Sequence, residues 1–307
     1  MVRQRSAKPS SAGSIPAVAS ISVPANFNFE STVVSHGWYL LAPFRWSRSE
    51  KTLRRVEILD KKPREIAISF SVDAIRVIGA IDTPELRAKI SRMFQLHVDT
   101  ADFIVVARMS PDHAWVERAG FGRLLCSSTL FEDVVKIITT TNTTWRQTMR
   151  MVELLVEKCG RHGAFPDPKD IVRFSPDDLQ RDCRLGYRAK SIHGLATGIV
   201  DGSINLKDIA DPSQTTEELF ESYRELPGIG PYGAAHLLAM DGRHDFIAVD
   251  SEFRRFVRET HHKGRRVSDK AMLRRYNKWG RWKYLAYWSE LWKAVADGLQ
   301  SLESTDK

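Results

Sequence analysis

Cysteine is scarce in this chain of 307 residues. Cys126, Cys159 and Cys183 stand far apart and form no CxxC pair, which argues against a zinc site or a disulfide framework. Three thiols in one chain also exclude a cluster held by four thiolates. Reduced thiols of a cytosolic protein are the plain expectation. Long apolar runs are missing too, and none approaches the roughly eighteen residues that a membrane span needs. No repeat recurs at the periods of solenoids. The first two dozen residues lack acids and are dominated by Ser, Ala and Pro, with Arg3, Arg5 and Lys8 among them. Such a composition cannot bury enough apolar surface to fold alone, so residues 1–25 read as a disordered basic tail. No continuous apolar stretch follows the basic residues, so a secretory signal is not expected; a basic, acid-free stretch is also what an organellar transit peptide shows.

What is there is ordinary in bulk and specific in detail. Hydrophobic residues make up 42% and charged residues 27% of the chain, as in soluble globular proteins. The net charge of +8 fits a polyanionic partner, and equally a solvated cationic surface. Between Phe27 and Ala80 the pattern is strand-like: Trp38 to Leu41, Leu53 to Leu59, Ile66 to Phe70 and Ala74 to Ile78 are rich in β-branched and aromatic residues. Ser47 to Lys51 and Asp60 to Arg64 supply turn material between them. Helices are predicted from Thr83 to Leu96, with Thr83 as cap and Pro84 in the first turn, and over Leu130 to Thr140 and Trp145 to Lys158. Shorter ones follow over Tyr187 to Val200 and Thr215 to Arg224, and a last long helix is predicted from Trp279 to about Leu299. The fold class is therefore α+β, with a β-rich N-terminal domain over residues 26–110 and a helical body over 111–307.

Leu226-Pro227-Gly228-Ile229-Gly230-Pro231-Tyr232-Gly233 reads as a hairpin between two helices. Proline is well placed at the first position of the second helix. The two glycines allow a tight turn and close approach to another surface, and Ile229 plugs the turn against the core. Free N–H groups at the start of the second helix make an anion site, suited to a phosphate of DNA. Taken alone, a GxG turn also serves packing, and short glycine motifs are weak signals. Twenty residues after Gly230, Asp250 follows the apolar run Phe246 to Val249 and precedes a helix predicted from Ser251 to Glu259. An aspartate there suits a helix N-cap, a role compatible with chemistry.

LPGIGPYGAAHLLAM followed by IAVDSEFRRFV resembles the signature of the helix-hairpin-helix–Gly/Pro–Asp superfamily of DNA glycosylases. Thr140 to Trp145 and Leu185-Gly186-Tyr187-Arg188-Ala189-Lys190 are similar to segments of its 8-oxoguanine and 3-methyladenine glycosylase branch. The resemblance runs from about residue 27 onward and is strongest from Phe131 to Val257. It implies that Asp250 is the catalytic carboxylate and that Gly228, Ile229, Gly230 and Tyr232 hold the DNA phosphate at the hairpin. It implies further that Asn142, Tyr187 and Arg188 enter the duplex or meet the orphaned base, and that Tyr232 and His236 contact the excised base. Where bifunctional members carry a Schiff-base lysine this chain has Tyr232, which cannot form one, so water is the expected nucleophile.

Trp282, in the aromatic and basic stretch Tyr276 to Trp288, is a further pocket candidate, although aromatics at helical spacing are more often core. His236 has no partner at ligand spacing, so no metal site is expected. Catalysis then needs no cofactor and no iron–sulfur cluster; backbone carbonyls of the hairpin can ligate a structural monovalent cation. Arg254, Arg255, Arg258, Lys263, Arg265 and Arg266 form either a solvated face or a phosphate-binding surface.

The expected function is removal of a modified base from double-stranded DNA by a monomer. The chain would be cytoplasmic and DNA-associated in a bacterium, nuclear or organellar in a eukaryote. An alkylated purine leads as substrate. Oxidised purines, enzymatically modified bases of foreign (phage) DNA, and a non-catalytic DNA-binding role are the alternatives. Pro231-Tyr232-Gly233 departs from the commonest family sequence after the hairpin, and its second glycine weakens the helix start.

Overall fold

The computed structural model describes residues 18–293. Five antiparallel strands form one sheet in the order β1-β5-β4-β3-β2, namely β1 (Val18–Ser22), β2 (Arg45–Ser47), β3 (Thr52–Leu59), β4 (Lys62–Ser71) and β5 (Ala74–Ile78). Asp60 and Lys61 join β3 to β4 with φ of 48° and 63°. A two-residue turn with both residues left-handed matches the twist of the flanking strands, and it sets the register Leu59↔Lys62 through Leu53↔Ile68.

The helices are α1 (Phe29–Val33), α2 (Pro84–Met93), α3 (Ala101–Arg108), α4 (Trp115–Ala119), α5 (Leu130–Thr140), α6 (Trp145–Lys158), α7 (Pro168–Ile171), α8 (Pro176–Asp182), α9 (Arg188–Asp201), α10 (Leu206–Ile209), α11 (Thr216–Arg224), α12 (Pro231–Met240), α13 (Ser251–His262) and α14 (Asp269–Arg274). A further helix occupies residues 283–293. The α+β class is as expected, and α5 and α6 have the predicted bounds. No helix of the described residues is long and apolar enough to cross a membrane.

Several expectations are corrected. Val18–Ser22, expected within a disordered tail, is β1; its register with β5, from Val18↔Ile78 to Ser22↔Ala74, buries Ala19 and Ile21. Residues 1–17 of that tail lie outside the described residues. Trp38 to Leu41 is not a strand: Gly37–Leu40 form a 3₁₀ turn, with the Trp38 indole bonded to Asp133 of α5. The last helix starts at residue 283, not Trp279. Gly280, at φ 54° and ψ −125°, breaks the turn Asn277–Trp282 from it. Its predicted end near Leu299 lies outside the described residues.

Two apolar clusters meet at α12. The first runs continuously from the inner face of the sheet (Leu53, Ile66, Ile68, Val77) through α5, α6 and α9 to Leu237 and Leu238 of α12. The second joins Phe103, Ala107 and Phe121 to α13 and the C-terminal aromatics, with Ala235 and Ala239 of the same helix. Phe103 and Ala107, expected in the N-terminal domain, thus pack with the C-terminal helices. Residues Gly233–Met240 of α12 are all buried, as a helix apolar on every side must be. Small residues let neighbours close in: a Cβ on Gly233 would lie 3.1 Å from Ile137 of α5. At the far end of α12, the Gln95 amide donates to the carbonyls of Ala239 and Met240 at 2.9 and 2.7 Å, satisfying acceptors that a helix leaves open. α12 is therefore a fixed central post, and its N-terminal end carries the hairpin.

α5 is fixed as firmly, by buried charge. Arg55 of β3 reaches across to Glu132 at 2.7 Å, and Lys136 bonds the same carboxylate at 2.7 Å. Asp133, fully buried, accepts from Arg92 at 2.5 Å, from the Ser127 N–H at 2.9 Å and from the Trp38 indole at 2.8 Å. The C-terminal end of α5 leads straight into the loop at Thr141–Thr143.

Candidate active site

The hairpin joins α11 to α12. Gly228 has φ 83°, and a Cβ there would meet Ser191 of α9 at 2.7 Å, so both backbone conformation and packing demand glycine. Gly230 differs: nothing lies within 4 Å of the place its Cβ would occupy. That surface is open to another backbone. Ile229 is buried and touches Gly233, the plug expected of it. The first intrahelical bond runs from Ala234 N–H to Gly230 carbonyl at 3.0 Å, leaving the N–H groups of Tyr232 and Gly233 ahead of it.

Beside the hairpin opens a cleft of about 860 Å³. Tyr232 and His236 of α12, Asp250 with Val249, Ser251, Glu252 and Arg254, and the loop Thr140–Thr143 contribute to its lining. So do His36, Gly37 and Trp38 of the 3₁₀ turn, Trp145 and Thr148 of α6, and Trp288. Asp250 is the N-cap of α13, and its Oδ1 accepts the Phe253 N–H at 2.7 Å. The capping role and a place in the cleft coexist. Burial raises its carboxyl above the ordinary aspartate range, against the lowering effect of the Phe253 N–H. Among the described residues no salt bridge engages it; its neighbour Arg254 is instead paired with Asp269 at 2.9 Å.

Aromatic rings cluster around His236. His236 stacks on Trp38 at 5.5 Å and 29°, meets Tyr284 edge-on at 6.2 Å and Trp288 edge-on at 6.5 Å, and faces Tyr232 at 6.0 Å. Burial pushes the His236 imidazole down to about 4, so it is neutral at ordinary pH, and its Nε2 has no hydrogen-bond partner among the described residues. Burial, then the Asp250 charge, pushes the Tyr232 hydroxyl up to about 12.

The rim is built around Asn142, which holds φ 45°. Its amide donates to the Tyr187 hydroxyl at 3.1 Å, and Tyr187 is 60% exposed. Arg188, expected to reach into DNA, is only 7% exposed. Its guanidinium donates to the carbonyls of Thr141, of Asn142 at 3.2 Å and of Leu185 at 3.3 Å. Its two terminal nitrogens are bonded inside the protein, while its buried Nε has no partner among the described residues; Arg188 thus holds the loop that presents Asn142.

Trp282 is the other correction. It lies in the second core, stacked on His244 at 5.7 Å and against Phe103 at 5.7 Å, away from the cleft lining. The ring that reaches the cleft is Trp288, six residues on, a spacing that puts it on a different side of the chain from Trp282. His36, Gly37, Trp38 and Trp145 escaped the sequence reading as well, because they come from a segment read as strand and from a helix start. The basic cluster after Asp250 is partly neutralised within the protein: Arg255 pairs with Glu252 and, at 2.7 Å, with Glu259. Cys159 and Cys183, far apart in sequence, come within 3.9 Å as buried thiols. Among the described residues, no group of three or more His, Cys, Asp or Glu side chains is placed to hold a metal.

Residues 135–281 match the model of the HhH-GPD superfamily base excision DNA repair protein. No curated protein matches the chain. Among solved structures, the 3-methyladenine DNA-glycosylase from Archaeoglobus fulgidus is similar with a TM-score of 0.72 and 18% identity, over 89% of this chain and 98% of that one. The Clostridium acetobutylicum 8-oxoguanine glycosylase/lyase, in complex with double-stranded DNA containing cytosine opposite 8-oxoguanine, is similar with a TM-score of 0.68 and 19% identity, over 89% and 93%. At such identities the likeness is one of fold.

Proposed function

This chain belongs to the HhH-GPD superfamily of base excision DNA repair proteins, and from that premise we propose that it is a monofunctional DNA glycosylase acting on an alkylated purine flipped out of duplex DNA. The observation that carries the reading is the half-buried Asp250 carboxylate, free of any ion pair, in an aromatic cleft beside the hairpin. The open face at Gly230 and the N–H groups of Tyr232 and Gly233 take a phosphate, which grips the backbone without reading sequence. Asn142 and Tyr187, on the rim, fill the gap that extrusion of a nucleotide leaves.

As the base departs, the sugar gains oxocarbenium character, and a carboxylate in a site shielded from bulk water stabilises that charge. Asp250 also orients the attacking water. Ring faces favour an electron-poor base through cation–π attraction, which is why an alkylated purine leads over an oxidised one. No lysine is among the cleft residues, and Lys136 is fully buried in its pair with Glu132. The nucleophile is therefore water, and the product an intact abasic site.

A panel of duplexes carrying alkylated, oxidised and enzymatically modified bases, scored for abasic sites, tests the reading. Release of alkylated purines with no covalent adduct under borohydride is the expected result. An adduct would show an amine nucleophile, and a panel without any release would leave only DNA binding. The pH profile is a second check. The active form is the carboxylate, and burial raises its pKa. Release should accordingly be low in acid, rise through a midpoint above that of an exposed aspartate, about 3.9, and level off towards neutrality. A midpoint at or below the exposed value would contradict the assignment of Asp250.

A further inference from the structure

We propose that the turn Ser35–Trp38 is the wall of the cleft that selects the base, with His36 as its reading group, accepting through Nδ1 a hydrogen bond from an N–H on the base edge. The inference rests on the reading of this cleft as a base pocket and goes beyond it, because the turn lies outside the matched residues 135–281.

Each of the four residues is fixed by its own contact. Ser35 Oγ accepts the Leu125 N–H at 2.9 Å, and the Ser35 carbonyl accepts the Trp288 indole N–H at 2.8 Å. The His36 Nε2 lies 2.6 Å from the Leu125 carbonyl, so both backbone groups of Leu125 are taken up by this turn. Gly37 leaves room for Trp145: a Cβ there would fall 2.5 Å from the Trp145 ring. The Trp38 indole donates to the buried Asp133 at 2.8 Å. A wall anchored at every residue holds its rings in place without a bound base, the preorganisation that selectivity needs.

A carbonyl only accepts, so the His36 proton is on Nε2. Burial, then the neighbouring His236, pushes the imidazole down to about 3, and the ring therefore carries that single proton. Nδ1 is left as a lone-pair acceptor, with no hydrogen-bond partner among the described residues, on a residue that lines the cleft. His236, also neutral, adds an unpartnered Nε2 to the same cluster. A base that offers an N–H donor satisfies such an acceptor. One that offers only acceptors leaves it unpaired, and a buried unpaired group discriminates strongly.

The test uses the full chain and two alkylated bases: 3-methyladenine, with its exocyclic amine, and 1,N6-ethenoadenine, in which ring closure removes that N–H. Two variants separate reading from anchoring. Glutamine places its amide where Nε2 is, and so keeps the bond to Leu125 while losing the acceptor at the δ position. Asparagine does the reverse. His36→Gln should lower the 3-methyladenine to ethenoadenine ratio of kcat/KM by about tenfold with the melting temperature unchanged. His36→Asn should keep the ratio and melt earlier. A ratio preserved in His36→Gln, or lost only in His36→Asn, would overturn the proposal alone. Wild-type protein that releases neither base would overturn the reading of the site as well.

Discussion

Asp250→Asn should reduce base release by about 10³-fold, the scale at which preorganised charge stabilisation is lost from an enzyme site, and leave fold and DNA affinity close to wild type. The two roles of this residue make the experiment clean. Asp250 caps α13 through Phe253, and asparagine caps a helix about as well as aspartate does. Only the negative charge disappears. Asp250→Ala removes the cap too, and should cost about 1 kcal/mol of stability on top of the same loss of activity. Single-turnover release of an alkylated purine, read beside binding to an abasic-site duplex and a thermal melt, separates these effects. Release by Asp250→Asn within a few fold of wild type would remove the carboxylate from the mechanism. Cleavage would then have to rest on the grip of the hairpin and the rings of the cleft alone.

Glu132→Ala should destabilise the protein by about 3–5 kcal/mol, the usual consequence of stripping one partner from a buried ion network. Glu132 bonds Arg55 and Lys136 from the two sides, and all three are almost wholly buried. Both cations also lie over the Phe44 ring, at 4.5 and 4.7 Å. The second carboxylate of the network, Glu57, contacts Arg55 Nε at 2.5 Å outside hydrogen-bond alignment and is shared with Ser128 and Lys89. It cannot take over both cations.

Burial alone would raise the Glu132 carboxyl, but the charges of Arg55 and Lys136 outweigh it and hold the group at about 2. A carboxyl whose pKa is lower folded than unfolded stabilises the fold fully above its unfolded value, about 4.3. That contribution is lost as the pH falls from there towards about 2. In urea the variant should therefore unfold at a much lower midpoint at neutral pH, and the gap to wild type should narrow below pH 4. A midpoint unchanged at neutral pH would mean that the network is no anchor for α5. The loop Thr140–Thr143 and the Trp38–Asp133 bond would then need other support.

Much of this was legible in the residues. The 3.6 period located α5 and α6, and Pro231 after the hairpin located the start of α12, because an apolar stripe and a proline at a helix start are local properties and survive into the fold. Thr83 accepts the Leu86 N–H at the start of α2, as expected. The hairpin and the twenty-residue offset brought Asp250 forward, since a tight turn and a helix N-terminus are written in consecutive residues. Other features could not be read. β3 alternates in both senses, and the face that is buried carries Arg55 and Glu57 with Leu53 and Leu59. Residue type alone would have put the charges outside. The partners that make burial tolerable, Glu132 and Lys136, come from a helix more than seventy residues away.

Trp282 and Trp288 are equal by composition; packing against His244 and Phe103 takes the first into the core, and the bond to the Ser35 carbonyl sets the second at the cleft. Arg188 has the chemistry to grip DNA, yet the fold buries it and turns its terminal nitrogens onto carbonyls of Thr141, Asn142 and Leu185. Local pattern, then, determined which segments are helical, where the glycine hairpin lies and which carboxylate follows it, because those depend on neighbours in the chain. Tertiary packing alone decided that His36, Gly37 and Trp38 share a cleft with Asp250, that burial keeps His36 and His236 neutral, and that charges of sheet and helix pair in the interior. Desolvation and pairing depend on which residues the fold brings within a few ångströms, and linear order does not carry that.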